Sequence, residues 1–262
     1  MPKPTQKAAV VIPTYNEAGN IGRLIDALCG NVFPSIEGWE MHAVIVDGDS
    51  PDGTGRIVEE RSALYPGKVH LIKEKGKSGI GAAYLQGFSF AMNELRADAV
   101  IEFDADFQHP PEMIPVLLSK LDGGFDYVAG SRRIAGGSEP KDRDLARAFL
   151  TRFGGWLARA ILFWPGKHFS AVTDPTTGLK ATRVEGVLEK LDLRPEHLYS
   201  KGFGYKVQLL KETLEAGARY AEVPLRFQNR AAGESKFEPD TTWEVLWACL
   251  RTRIKEPQAG QV

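Results

Sequence analysis

Apolar residues in the first half of the chain fall into short continuous runs separated by helically spaced stripes. Residues 8–12 form the first run and predict a buried strand; Ile21, Leu24, Ile25 and Leu28 then recur at the spacing of an amphipathic helix. The alternation continues with a strand over 41–46, a helix over 54–64, a strand over 69–72, a helix over 79–95, a strand over 99–103, a helix over 110–121 with prolines in its first turn, and a strand over 126–129. The second half predicts helices over 145–163, 182–191, 202–216 and 240–254, a strand pair over 219–227 broken at Pro224, and a polar loop over 229–237.

Strands alternating with helices argue for βαβ units and a mainly parallel sheet flanked by helices, an α/β fold. Ligands of such sheets bind beyond the carboxyl ends of the strands. Two dense polar clusters, 47–53 and 104–109, fall at such ends. No repeat, low-complexity tract or clear linker interrupts the chain, so a single domain is expected over 1–262.

Composition narrows the classes. The 262 residues carry 33 Lys plus Arg against 34 Asp plus Glu, a net charge of −1. That balance removes the global reason to expect a nucleic-acid partner. Cys29 and Cys249 cannot make a disulfide framework and are expected as reduced thiols. No run of about 18 uncharged apolar residues and no secretion signal is visible, which predicts a soluble or peripheral intracellular protein.

The sharpest chemistry is Phe103-Asp104-Ala105-Asp106-Phe107-Gln108-His109-Pro110. Two carboxylates leave the end of an apolar strand one residue apart, and Gln108 adds a carbonyl, so that all three can reach one hard cation. The plain alternative is a helix cap at Asp106 ahead of Pro110; the buried strand before the pair argues against it. Pro13-Thr14-Tyr15-Asn16-Glu17 ends the first strand, with Asn16 placed to cap the next helix, Tyr15 to stack on a base and Glu17 to bond a ribose. Two glycine motifs fail as nucleotide sites: the stretch ending Gly76-Lys77-Ser78 has Leu71 where a P-loop needs glycine, and Gly79-Ile80-Gly81-Ala82-Ala83-Tyr84 ends in tyrosine. Arg132, Arg133, Arg147, Arg230 and Lys236 are loop or helix cations suited to phosphate.

Taken in order, Pro13-Thr14-Tyr15-Asn16-Glu17, Val46-Asp47-Gly48-Asp49-Ser50-Pro51-Asp52-Gly53-Thr54, Asp104-Ala105-Asp106-Phe107-Gln108-His109-Pro110-Pro111-Glu112, Gly130-Ser131-Arg132, Glu222-Val223-Pro224, Arg230 and Gly233-Glu234-Ser235-Lys236-Phe237 resemble the motifs of family 2 glycosyltransferases. The match is closest to the dolichyl-phosphate (polyprenol-phosphate) mannosyltransferases and covers roughly residues 8–240. The resemblance implies a GT-A fold, with a nucleotide-sugar half over 8–130, an acceptor half over 131–240 and a C-terminal helix and tail over 241–262. It places Pro13, Tyr15, Glu17, Val46, Asp47, Asp49 and Ala105 around the nucleotide. Asp104 and Asp106, with Gln108, would hold Mg²⁺ or Mn²⁺ on the donor diphosphate. Arg132, Arg147 and Thr151 would receive the acceptor phosphate, and Arg230 and Lys236 would close over the phosphates. Gly48 stands where the family usually has a second, base-reading Asp, with Asp49 shifted by one, which leaves guanine and uracil both open. Thr151 replaces a common Ser, and Gln208 a common acidic residue.

The implied reaction is inverting transfer of a sugar, mannose from GDP-mannose first, onto a polyprenyl or dolichyl monophosphate. The alternatives are a UDP-sugar donor, a non-lipid acceptor, or a binder that has lost transfer. Such an enzyme works at the cytoplasmic face of a membrane, held peripherally or by a membrane partner subunit. Two segments offer an anchor: the aromatic and arginine-rich 145–163 helix, and the Trp243, Leu246, Trp247, Leu250, Ile254 stripe. For the second, packing against the protein's own core is the expectation.

Overall fold

A computed structural model describes residues 5–140, 145–230 and 240–254, the side chains of 145–150 and of Asp240 excepted. The strands are β1 (Gln6–Thr14), β2 (Trp39–Asp47), β3 (Val69–Lys73), β4 (Ala99–Glu102), β5 (Tyr127–Ser131), β6 (Lys180–Arg183) and β7 (Tyr220–Pro224). The helices are α1 (Ile21–Ala27), α2 (Thr54–Leu64), α3 (Ile80–Asn93), α4 (Met113–Asp122), α5 (Leu145–Phe163), α6 (His168–Ala171), α7 (Tyr205–Glu215) and α8 (Asp240–Ile254).

One seven-stranded sheet runs β3-β2-β1-β4-β6-β5-β7. Strands β1, β2, β3 and β4 pair in parallel, as do β5 and β7; β6 is antiparallel to both its neighbours. Strand β1 shows why its apolar run is continuous rather than alternating. Ala8, Val10 and Ile12 face a core shared with α1, α2 and α4, while Ala9 and Val11 face one shared with α3 and α7. Both faces of a parallel strand are covered, so neither tolerates polar residues. A third core joins α5, α7 and α8 through Ala158, Leu162, Val207, Leu210, Ala248 and Cys249.

Three expectations fail here. Residues 182–191 are not a helix. Strand β6 runs through Lys180-Ala181-Thr182-Arg183, followed by a 3₁₀ turn at Leu188–Lys190. Its polar sequence hides a buried strand: Lys180, 1% exposed, has its ammonium 3.4 Å from a Glu102 oxygen that also accepts the Tyr205 hydroxyl at 2.9 Å. The strand pair over 219–227 is one strand, β7, closed by Pro224, with, among the described residues, an isolated bridge from Ser138 to Arg226 beyond it. The C-terminal stripe is not core. Trp243 is 74% exposed and Trp247 51%, and Leu250 and Ile254 are also exposed; α8 instead buries Thr241, Ala248, Cys249 and Thr252. Small residues let α8 pack closely against α5 and α7, and this turns its aromatic edge outward. The exposed Phe153 and Trp156 of α5 extend the same character, whereas Phe163 is buried.

Candidate active site

A cleft of about 460 Å³ opens beyond the carboxyl ends of β1 and β4. Pro13, Glu17, Asp104, Ala105, Asp106 and Gln108 line one end; Thr151 of α5 and Thr242, Val245 and Leu246 of α8 line the other.

The two carboxylates leave β4 into unlike surroundings. Asp104 accepts the Tyr84 hydroxyl at 3.0 Å and lies 3.7 Å from His109 Nδ1. Burial works against its ionisation, but Lys206, His109, the Tyr84 hydroxyl and Arg230 outweigh burial and hold its pKa below the ordinary 3.8. Burial also pushes Tyr84 well above its ordinary 10.0, so its hydroxyl stays a donor. Asp106 is pushed up to about 6, first by burial and then by the neighbouring Asp104 charge, against the Gln108 amide and Arg230. It accepts the Gln108 backbone N–H at 3.0 Å and an Arg230 nitrogen at 2.9 Å. The same guanidinium sits 3.6 Å from Glu17. The loop is held in place by the Gln228 N–H donating to the Gln108 carbonyl, and it turns at Phe107, whose φ of 62° is costly for a bulky residue. The inner wall is tight as well: a Cβ on Gly178 would lie 2.8–2.9 Å from His109, Lys206 and Asp104. Burial lowers the pKa of His109 to about 4, so its ring is neutral at ordinary pH.

Arg132 borders the cleft, but its fork is engaged: Nε and Nη2 each donate to Asp174 at 2.7 Å, and Nη2 also reaches Thr176. Thr151 is on the cleft wall. Arg147 lies on α5 with its side chain outside the described residues, and Lys236 lies outside them altogether.

At the nucleoside edge the motif residues divide. Tyr15 is half-buried beside Gly48, with the Lys77 ammonium 4.8 Å from its ring centre. Val46 is fully buried in the core with Val11 and Phe88, and its backbone pairs with β1 on one side and β3 on the other, so its side chain is closed to a ligand. Asp47 accepts Thr14 Oγ1 at 3.0 Å and the Ser50 hydroxyl at 2.6 Å, which locks the turn after β2. Asp49 is exposed, with φ of 61°. Asn16 does not cap α1, which starts at Ile21; its N–H instead donates to Ser50, tying the first motif to the second.

Sequence reasoning gave no role to Tyr84, Asp174, Lys206 or His109, which the fold brings to the cleft or to its lining residues. Tyr84, the residue that breaks the glycine motif, was the one available signal. Gln208 serves the scaffold, bonding the Tyr199 N–H, the His197 carbonyl and Glu212.

A mostly parallel sheet with helices on both faces and a carboxylate pair at a central strand end defines a GT-A-like glycosyltransferase fold. Solved structures agree at the level of fold. Glucosyl-3-phosphoglycerate synthase from Mycobacterium tuberculosis, in complex with Mn²⁺, uridine-diphosphate and glucosyl-3-phosphoglycerate, superposes with a TM-score of 0.67 at 20% identity, over 97% of this chain and 82% of that one. The family model for glycosyl transferase family 2 matches residues 9–176, and the chain belongs to that family. It is a glycosyltransferase. It is 34% identical to the polyprenol monophosphomannose synthase of Mycolicibacterium smegmatis, over 97% of this chain and 89% of that protein. It is 32% identical to the undecaprenyl-phosphate mannosyltransferase of Micrococcus luteus, over 95% and 99%. The dolichol-phosphate mannosyltransferase of Pyrococcus furiosus is 34% identical, over 92% of this chain and 62% of that protein.

Proposed function

We propose that this protein transfers mannose, with inversion, from GDP-mannose to a polyprenyl or dolichyl monophosphate at the cytoplasmic face of a membrane. One domain does this, with a donor half over 8–130 and an acceptor half over 131–240. The observation that carries the reading is the continuity of the cleft: it joins Asp104 and Asp106 to α5 and α8, the helices that expose Phe153, Trp156, Trp243 and Trp247. The names of the three relatives supply the acceptor and the sugar. The test is membrane lipid extract with radiolabelled GDP- and UDP-sugars: label moves into the organic phase from GDP-mannose. Transfer from a UDP-sugar alone, or to a water-soluble product alone, would overturn this assignment.

The donor set fits a small divalent cation. Among the described residues no three His, Cys, Asp or Glu side chains converge as a metal cage. Two carboxylates suffice for Mg²⁺ or Mn²⁺ when phosphate oxygens complete the shell, with Gln108 as a third protein ligand. Burial first and then the Asp104 charge raise Asp106, and a cation between the two carboxylates would relieve the repulsion. When bound, the ion stabilises the charge developing on the leaving diphosphate. Arg230, already between Glu17 and Asp106, and Lys236 neutralise the donor phosphates. The acceptor phosphate, with a second pKa near about 6, is largely dianionic at neutral pH and needs no strong general base. Thr151 and Arg147 position it, and Arg132, whose Nε and Nη2 are held by Asp174 and whose Nη1 lies 3.9 Å from Glu139, adds its charge at the cleft wall.

Raising the pKa of Asp106 has a signed consequence. Above about pH 6 the carboxylate is ionised and open to a cation; below it a proton takes its place. Mg²⁺-supported GDP binding, followed by calorimetry, should therefore be about tenfold weaker one unit below that value than well above it. Binding that is flat from pH 5 to 8 would sink the assignment.

No helix among the described residues is long and apolar enough to cross a membrane. The exposed aromatic edges of α5 and α8, with the Arg251 guanidinium 4.4 Å over the Trp247 ring, suit an interfacial mode in which rings enter the acyl boundary and cations meet headgroups. Both Trp156→Glu and Trp247→Glu should keep their unfolding midpoints, because both rings are half exposed. Both should lose flotation with anionic liposomes. Unaltered flotation of the double variant would contradict this surface; flotation of the parent only with a membrane partner subunit would assign the anchor to that partner.

A further inference from the structure

Resting on the donor-site reading above, we propose that Glu74 reads the donor base beside Gly48, and that it selects guanine.

Glycine at 48 leaves a gap at the carboxyl end of β2. A Cβ built there would lie 3.4 Å from Glu74 Oε2, 3.5 Å from the Tyr15 ring and 3.5 Å from the Thr14 carbonyl. These are ordinary contacts, so sterics do not demand the glycine. The space it leaves is bounded by a carboxylate arriving from the end of β3. Glu74 is fixed there at two points. Its N–H donates to the Asp47 carbonyl at 2.9 Å, continuing the β2–β3 pairing by one residue. Its Oε1 accepts the Ser78 hydroxyl and, at 2.6 Å, the Gln86 amide. Both partners engage the same oxygen. Oε2 receives no hydrogen bond from the described residues and points into the gap beside Tyr15.

The chemistry of a held carboxylate oxygen then decides the base. An ionised carboxylate only accepts. Guanine presents two adjacent donors, N1–H and the 2-amino group. Uracil presents one N–H between two carbonyls, and adenine and cytosine place a ring-nitrogen lone pair beside their amino group. Each of those three can give Oε2 one donor but sets an acceptor beside it where guanine has a second donor, which weakens the pairing by repulsion as well as by the lost bond. Ser78 and Gln86 act as positioning residues because they hold the carboxylate before the base arrives.

The test is calorimetric binding of GDP, IDP and UDP with Mg²⁺ to the full chain. The parent should bind in the order GDP, IDP, UDP, with GDP about tenfold or more tighter than UDP; inosine lacks the 2-amino group and falls between. Glu74→Ala should bring GDP to the level of UDP and leave UDP unchanged. The double variant Glu74→Ala/Gly48→Asp, which supplies a carboxylate from position 48 beside the place Glu74 Oε2 vacates, should regain the GDP preference. Equal weakening of all three nucleotides in Glu74→Ala would mark a collapsed loop and overturn the assignment, as would an unchanged GDP-to-UDP ratio. A parent that binds nucleotides without preferring GDP overturns the role of Glu74 while leaving the donor site standing. A parent that binds none of the three overturns the donor site itself.

Discussion

Asp104→Ala and Asp106→Ala should each remove the proposed mannosyl transfer to lipid while leaving the fold intact. The expected loss is about a thousandfold or more in turnover, because the several kcal/mol of charge stabilisation a divalent ion lends to a leaving diphosphate disappears with either carboxylate. The two variants should differ in detail. Asp104 is held by Tyr84 and compensated by Lys206, whereas Asp106 is the carboxylate that burial and Asp104 drive upward. Asp106→Asn should thus keep the shape of the site and still lose cation-dependent donor binding. Near-parental turnover of either alanine variant in saturating donor would reject the cation assignment. Chelator insensitivity of the parent would reject it independently.

Breaking the Arg132–Asp174 pair should be the most destabilising polar substitution at the cleft. Both side chains are largely buried, and the fork makes two bonds of 2.7 Å to the carboxylate. Asp174→Ala strips the buried guanidinium of both its short carboxylate bonds and leaves only Glu139, 3.9 Å away, as counter-charge, a loss of about 3 kcal/mol in unfolding free energy measured with guanidinium chloride. An Arg132→Met/Asp174→Leu double variant should recover most of it, since an apolar pair of similar bulk avoids desolvating two charges. A cost under about 1 kcal/mol for Asp174→Ala would show the pair to be solvent-screened. The pH dependence has a definite sign. Burial opposes ionisation of Asp174, but Arg132 outweighs it and lowers the pKa from the ordinary 3.8. The pair's contribution is therefore fully present above that ordinary value and fades as pH falls through the lower folded one. The parent should lose this increment in acid, and the double variant should not.

The parallel half of the fold could be read before any coordinates, because strands buried on both faces admit only apolar residues and so print themselves as runs. Residues 8–12 and 41–46 fall inside β1 and β2, and the helix expected over 54–64 coincides with α2. Asp104 and Asp106 were legible for the same reason: charged residues directly after such a run lie at a strand end. Periodicity failed at β6, where Lys180 and Thr182 are buried. A buried lysine looks like a surface one until its partner is known, and Glu102 is 78 residues away along the chain.

What the sequence determined by itself, then, was the order of elements in the parallel half, the family and the carboxylate pair, all of which are local patterns or motifs. Three matters were decided only in three dimensions. Arg132 proved to be held by Asp174 through a contact 42 residues apart. The stripe on α8 faces outward because α5 and α7 together occupy its other side, and an amphipathic pattern is the same whether its apolar face meets a core or a lipid surface. The gap at Gly48 is met by Glu74 from a neighbouring strand. In each case the deciding interaction joins residues distant in sequence, and its energy depends on burial, a property that chain order does not carry.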